Sequence, residues 1–431
     1  MKKYYLILVL GIASLEGYAQ TPAPAVTTPP EKEWEISLYG FVRTDYIWDT
    51  RKSVMAREYE LNLFPLDEVL DANGKDINAV GQSNFLSVTS RIGIKVKGPN
   101  VWGAKTSSVL EGDFYGNVEG SSIGMLRLRQ AYVNMDWSKT SLTMGQTWYP
   151  QFIPECFPGV ANFNTGIMFN PFGWATQVKL KQMLSKELSL TVAAYKEREY
   201  PTAAAGTVAV GSQNAASINS ALPSLDAQLQ YKGKNVLLGL GAEYKSLQPL
   251  TVYNNKATTE KVNSSSIFGY AKYTNDKIII KAYGISGGNL NNLVMLGGYT
   301  GTVANGIQSY NPVKTSAFWL DVASNGKTIA PGIFFGYTKN SGSSTAATDF
   351  PSIYMRGITI IGTGSTATAR VVDNVWRASG RIDFKKNKFR ISPEIEYTGA
   401  TWGKADFFGE ANGDKKDVGN LRALVSCVYA F

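Results

Sequence analysis

The 431-residue sequence contains no histidine. That excludes His-ligated zinc and any triad or general acid–base step that uses imidazole. Cysteine is scarce too: Cys156 lies in a proline-rich stretch and Cys427 near the C-terminus. No disulfide framework holds such a chain together, and these two positions are not expected to bond each other. Beyond the first dozen residues no segment supplies the ~20 apolar residues that a transmembrane helix needs. Acid is in deficit, 34 residues against 43 Lys and Arg, for a net charge of +9. A basic chain can attract anionic lipid, nucleic acid or small anions. No nucleic-acid motif is present, so a nucleic-acid partner is not expected.

What the chain has in abundance is tyrosine (23), phenylalanine (19) and glycine (42). With many Val and Thr, that composition favours strands and tight turns over helices. The start, "MKKYYLILVLGIASLEGYAQ", sets Lys2 and Lys3 before an apolar run and small residues, which reads as a signal peptide over 1–19. Residues 20–34, rich in Pro and Thr, read as an extended periplasmic tether. The first nineteen residues carry +1, so the mature chain keeps +8.

Period-2 alternation predicts strands near 35–49, 84–98, 101–117, 123–137, 139–148, 172–184, 186–199, 222–233, 235–248, 261–275, 277–288, 314–325, 327–340, 372–386, 388–403 and 418–431. Short links such as "WSKT", "TNDK" and "KKNK" alternate with long connections such as 50–83, 149–171, 200–221, 289–313 and 341–371. Sixteen strands with short turns at one end and long loops at the other describe an outer-membrane barrel. In lipid every backbone polar group must be paired, so strand 418–431 is expected to close the sheet on strand 35–49.

The strand faces agree with this. Trp376, Ala378, Gly380, Ile382 and Phe384 share one face, and Arg377, Ser379, Arg381 and Asp383 share the other. Trp48, Trp137, Trp148, Trp174, Trp376 and Trp402 lie near predicted strand ends, where an interfacial girdle would place them.

The segments "SRIGIKVKGP", "GAKTSSVLEGDFYG", "LRLRQAYVNMDW" and "LTMGQTWYPQF" follow one another as in porins of the Bacteroidetes and the related DcaP-like trimeric porins. Tyr429 and Phe431 resemble the terminal recognition signal of outer-membrane barrels. The resemblance is clearest over about 36–180 and again over 372–431. It implies an all-β, 16-stranded antiparallel transmembrane β-barrel over 35–431, in the outer membrane of a Gram-negative bacterium. It also implies a homotrimer, inserted by the barrel-assembly machinery. The third outer loop, 149–171, would fold inward and narrow the pore, with Pro154, Glu155, Phe157 and Phe163 as constriction residues. Glu155 is its only acid, so it sets up little field across the pore.

Polar residues on the non-lipid face are the pore-lining candidates: Arg43, Asp45, Arg91, Glu111, Asp113, Arg127, Arg129, Lys179, Arg377, Arg381, Glu394 and Glu396. Most fall on strands that neighbour one another in a closed barrel. An arc of arginine favours anions, and cross-strand pairing with the acids stiffens the wall. Gln130 interrupts the alternation of its strand.

In the first outer loop Asp71, Asn73, Asp76 and Asn78 around Gly74 place oxygens at the short spacing of a calcium loop. The full EF-hand register is missing, so a solvated turn is the preferred reading and calcium the alternative. No other cofactor is expected.

A barrel enzyme would need a nucleophile and a base, and no such constellation is found. A plugged receptor of 22 strands needs a longer chain. A soluble secreted all-β protein would extract without detergent. A substrate-specific channel for an anionic or sugar-like solute would use an aromatic track, for which Phe152, Phe157, Phe163, Phe169 and Phe172 are available, though loop packing accounts for them equally. A surface adhesive or structural barrel would depend on its outer loops. The reading that accounts for most is a porin: a water-filled channel for passive diffusion of small hydrophilic solutes, with a weak preference for anions.

Overall fold

The computed structural model describes residues 34–57, 59–116, 124–205, 214–363 and 366–431. The expected signal peptide, and the tether apart from Trp34, lie outside the described residues.

Sixteen antiparallel strands form one closed sheet. They are β1 (Glu35–Asp49), β2 (Arg91–Lys97), β3 (Lys105–Asp113), β4 (Arg127–Asp136), β5 (Thr140–Trp148), β6 (Trp174–Met183), β7 (Leu188–Glu197) and β8 (Ser224–Lys232). Then come β9 (Val236–Leu247), β10 (Val262–Thr274), β11 (Ile278–Gly288), β12 (Ile307–Ser324), β13 (Ile329–Ser343), β14 (Thr368–Lys386), β15 (Phe389–Lys404) and β16 (Lys416–Ala430). A short strand, Gln82–Leu86, continues the line of β2 and pairs with β1. Each strand pairs with its sequence neighbour through its own residues, because short turns such as 137–139 and 275–277 leave no other option.

Closure runs from Phe41 opposite Ala430 to Asp49 opposite Arg422. Beyond the ladder, the Phe431 N–H donates to the Gly40 carbonyl at 3.1 Å. No free edge remains along this seam, as the hydrocarbon core demands. Gly40 is required here, since a Cβ would stand 2.3 Å from the Arg91 carbonyl and 2.8 Å from the Phe431 ring.

The outward face of the wall is apolar and exposed, with residues such as Val42, Leu240, Ile333 and Ile395. Tilted strands need only ~9–11 residues to cross the membrane. Strands β12 and β14, at 18 and 19 residues, therefore run on past the bilayer. There β12 pairs with the hairpin strand Gly297–Ala304, which extends the sheet into the outer loops.

The tryptophan girdle is corrected in part. Trp48 and Trp376 face outward and are more than one-third exposed. Trp174 and Trp402 are buried inside, and Trp148 packs against the same interior cluster. Proximity to a strand end does not fix which face a side chain takes: Trp402 shares the parity of buried Glu394 and Glu396, whereas Trp148 and Trp174 share that of exposed Met144 and Val178 and are nonetheless taken up by the interior cluster.

Candidate functional site

The interior is built from two different walls. On β1–β4 and β14–β16 it is a lattice of paired charges. Arg43 Nε and Nη2 hold Asp45 at 2.5 and 2.9 Å. Arg127 grips Asp113 through two nitrogens, at 2.9 and 2.7 Å. Arg129 reaches Glu111 at 2.9 Å and Asp113 at 3.0 Å. Its guanidinium also stacks 4.3 Å from the Trp174 ring. Arg91 lies 3.7 Å from Glu111, Arg377 3.4 Å from Glu396, and Arg381 3.1 Å from Asp321. Register alone would pair Arg381 with Glu394, which stands directly opposite. Glu394 instead accepts from the Ala161 N–H at 2.6 Å. The sequence missed Asp49, Asp321 and Arg422, although Arg422 and Asp49 form one of the fully buried bidentate pairs.

All twelve pore-lining candidates point inward. Most of the arginines and acids are nonetheless covered rather than open. Arg377 and Arg129 have no exposed surface, and Glu396 has 1%. The interruption at Gln130 is a β-bulge: Glu111 faces Gln130 and Gly112 faces Leu128, which leaves Arg129 as the extra residue, still turned inward.

The cover comes from two segments. The first is 149–173, which meets inward-facing side chains around much of the barrel. Arg43 donates to the Ala161 carbonyl at 2.7 Å and Arg377 to the Ile167 carbonyl at 2.7 Å. The Gly159 N–H donates to Asp321, and Trp319 to Asn170. Its aromatic side chains join those of the wall in one apolar cluster. An aromatic ladder on the wall supports them, running Phe268, Tyr283, Trp319, Phe334 from β10 to β13 with ring separations of 6.0, 6.2 and 6.4 Å.

Phe152, Phe163, Phe169 and Phe172 are buried in this cluster and Phe157 packs against it, so these rings serve packing and not an open track. Of the constriction candidates, Phe163 is buried beside Arg43. Pro154 and Glu155 are exposed, and Glu155 meets Lys232 at 2.5 Å.

The second covering segment was not foreseen. Residues Ser53–Arg57 and Leu61–Pro65 form a hairpin whose second strand is wholly buried. Arg377 donates to the Asn62 and Leu63 carbonyls at 3.2 and 3.0 Å. Arg422 donates to the Tyr59 carbonyl at 2.9 Å, and Trp402 to the Pro65 carbonyl at 3.0 Å. The "LNLFP" after a charged stretch was the available signal: Leu61 and Leu63 on one face and Phe64 on the other require cover on both sides.

On β6–β11 lysines without an acid partner stand beside buried Glu197, Asp226 and Glu243. Lys179 and Lys181 on β6 face inward, as do Lys272 on β10 and Lys281 on β11. Lys272 and Lys281 stand directly opposite one another. Their ammonium groups donate to main-chain carbonyls of the inner segment, Glu155 at 3.1 Å and Phe157 at 2.8 Å. Among the described residues none of these four lysines forms an ion pair. With Lys232 and Lys234, Lys272 and Lys281 line a cavity of about 360 Å³. The sequence reading included Lys179 but missed the other three. Counting outward from the turn 275–277 would have placed Lys272 against Lys281.

The calcium candidates serve their own loop. One Asp71 oxygen accepts from the Asn73 and Lys75 N–H groups at 2.8 and 2.9 Å. Asp76 accepts from the Val69 and Asn78 N–H groups and pairs with Arg51 at 2.6 Å. What burial it has pushes the Asp76 carboxyl up, but these N–H donors and Arg51 together hold it below the usual range. The Asn78 amide donates to the Asp67 carbonyl, and Asn73 enters the turn through its backbone N–H. Among the described residues no three His, Cys, Asp or Glu side chains gather as metal ligands. The short spacing reflects Asx turns, in which the side-chain oxygen caps nearby N–H groups.

The family model described as DcaP outer membrane protein matches residues 23–297. The crystal structure of the outer membrane channel DcaP of Acinetobacter baumannii is similar at 17% identity. The match covers 92% of this chain and 97% of that one, with a TM-score of 0.65. The anion-selective porin from Comamonas acidovorans matches at 12% identity over 93% of this chain and 100% of that one, TM-score 0.53. Outer-membrane expressed OmpT of Vibrio cholerae matches at 11% identity over 93% and 99%, TM-score 0.53. No curated protein sequence matches.

Proposed function

The chain belongs to the DcaP outer membrane protein family and is an outer-membrane porin, and on that premise we propose that it passes small hydrophilic solutes by diffusion and favours anions through its lysine wall. The observation that carries this is Lys272 opposite Lys281, with no carboxylate bonded to either. Like charges facing each other across strands are unfavourable. A passing anion relieves that repulsion, and a passing cation adds to it. The arginines of the opposite wall already have acids of their own and contribute little net field. This moves the expected anion preference from Arg377 and Arg381 to lysines.

Segment 149–173 acts as the constriction in this reading, since the lysines moor its tip at Glu155 and Phe157. The chemistry is passive and uses neither cofactor nor catalytic group. The assembly is a homotrimer in outer-membrane lipid, and its place among the Bacteroidetes porins has the same support, the sequence resemblance. Residues 1–19 act as its export signal and 20–34 as a periplasmic tether.

The test is the reversal potential of the detergent-purified protein in a planar bilayer under a KCl gradient. An anion-side potential that Lys272→Glu with Lys281→Glu reverses supports the reading. A cation-side potential in the unaltered protein overturns it.

A further inference from the structure

We propose that the cavity lined by Lys232, Lys234, Lys272 and Lys281 is a binding site for a small phosphate monoester, and that the Glu155 carboxylate holds the place of the phosphate until the ester displaces it. The part such binding plays in permeation rests on the anion-channel reading; the binding itself does not. Register sets three of the lysines in one row. Lys232 on β8 stands opposite Leu237 on β9, Leu237 opposite Lys272 on β10, and Lys272 opposite Lys281 on β11. The row crosses strands about 4.8 Å apart at a single height of the wall. The turn 233–235 also lines the cavity, which puts it at the end of the barrel that carries the short turns. In outer-membrane barrels that end is periplasmic.

Among the residues that line this cavity, Glu155 is the one acid against the four lysines, which leaves three positive charges without a negative one. Glu155 meets Lys232 at 2.5 Å, with the lysine side chain 63% exposed and the glutamate 40%. Water screens a pair so open, and it is weakly held. Lys272 and Lys281 each donate to a main-chain carbonyl, of Glu155 at 3.1 Å and of Phe157 at 2.8 Å. An ammonium group carries three N–H donors, so each keeps others for a ligand. The acid next in the row, Asp321 opposite Lys281, does not compete for them. It is bonded to Arg381 and to the Gly159 N–H.

The donors select the ligand. All four are point charges on flexible stems, and no guanidinium fork lies among them to match a planar carboxylate. Such a cluster reads charge concentrated on one group. Lys272 and Lys281, as direct cross-strand partners, can reach the same group. A phosphate monoester carries a charge of about −1.5 to −2 at neutral pH and presents three acceptor oxygens on one phosphorus. A dicarboxylate spreads its two charges over separate groups. The cavity of about 360 Å³ lies near the lower end of the ~300–1,000 Å³ of ligand pockets, so the ester is a small one. Pro154, Phe157 and Leu237 offer its organic part an apolar surface.

The test is calorimetric titration of the detergent-purified full chain at low salt with glycerol phosphate, and with succinate for comparison. Glycerol phosphate is expected to bind saturably, one per chain, and more tightly than succinate. Lys272→Gln, which keeps a donor for the Glu155 carbonyl, is expected to weaken it by about tenfold. Glu155→Gln removes the competing carboxylate and is expected to tighten it by up to about fivefold. In parallel, the reversal potential of the same preparation is recorded in planar bilayers under a KCl gradient.

Failure of the ester to bind, binding that Lys272→Gln leaves unchanged, succinate held as tightly as the ester, or an affinity that Glu155→Gln does not raise each overturns the proposal. The expected binding in a protein whose KCl reversal potential lies on the cation side supports the site and overturns the anion-channel reading. Heat-modified migration on gels confirms folding, and Lys281→Gln serves the same comparison if Lys272→Gln does not fold.

Discussion

Lys272 on β10 and Lys281 on β11 are direct cross-strand partners, and each ammonium group finds a carbonyl of segment 149–173 instead of an acid. The free positive charge of the interior is concentrated there and on β6. Lys272→Glu combined with Lys281→Glu should move the reversal potential from the anion to the cation side. Lys179→Gln, which adds no negative charge, should shift it in the same direction by less.

The paired wall should respond differently. Arg377 donates to Thr398 and to the carbonyls of Ile167, Asn62 and Leu63, so it ties both inner segments to β14. Arg377→Ala leaves Glu396 and those carbonyls without their donor. Breaking a buried pair from one side costs about 3–5 kcal/mol. The expected result is larger, noisier conductance with little change in ion selectivity, together with a lower unfolding midpoint in denaturant.

The seam of the barrel depends on Gly40. A Cβ there would collide with the Arg91 carbonyl and the Phe431 ring, both on neighbouring strands. Gly40→Val should cost at least the ~1–3 kcal/mol of an overpacked core site. It should lower the fraction of heat-modifiable, folded protein, whereas Gly74→Ala in the first outer loop, where a Cβ meets nothing within 4 Å, should cost less despite its φ of +75°.

Cys156 is free, fully buried and outside the spanning strands. Burial pushes its thiol up to about 11, against a smaller opposing pull from Lys281 and Lys272. The thiolate is the reactive form. A maleimide should therefore leave Cys156 unmodified in the folded protein near neutral pH and modify it after unfolding. Prompt labelling of the native protein would mean that segment 149–173 does not hold this position.

The strand plan of this protein is written locally. Each strand carries its own alternation, each short turn forces an antiparallel neighbour, and lipid permits no open edge. Sixteen strands, their order and the β1–β16 closure were therefore legible from residues within a few positions of one another. Inward parity placed Arg43, Glu111, Arg377 and the other inward-facing candidates for the same reason.

What parity could not supply was what covers each inward side chain and which partner it chooses. Arg381 passes over Glu394, directly opposite, in favour of Asp321 two strands away. Asn62 meets Glu396 across 334 positions of sequence. The buried hairpin and the unpaired lysines arise in the same way. They depend on loops returning across the barrel to side chains that only closure brings together, and charge compensation in a dry interior is settled by those distances, not by order along the chain.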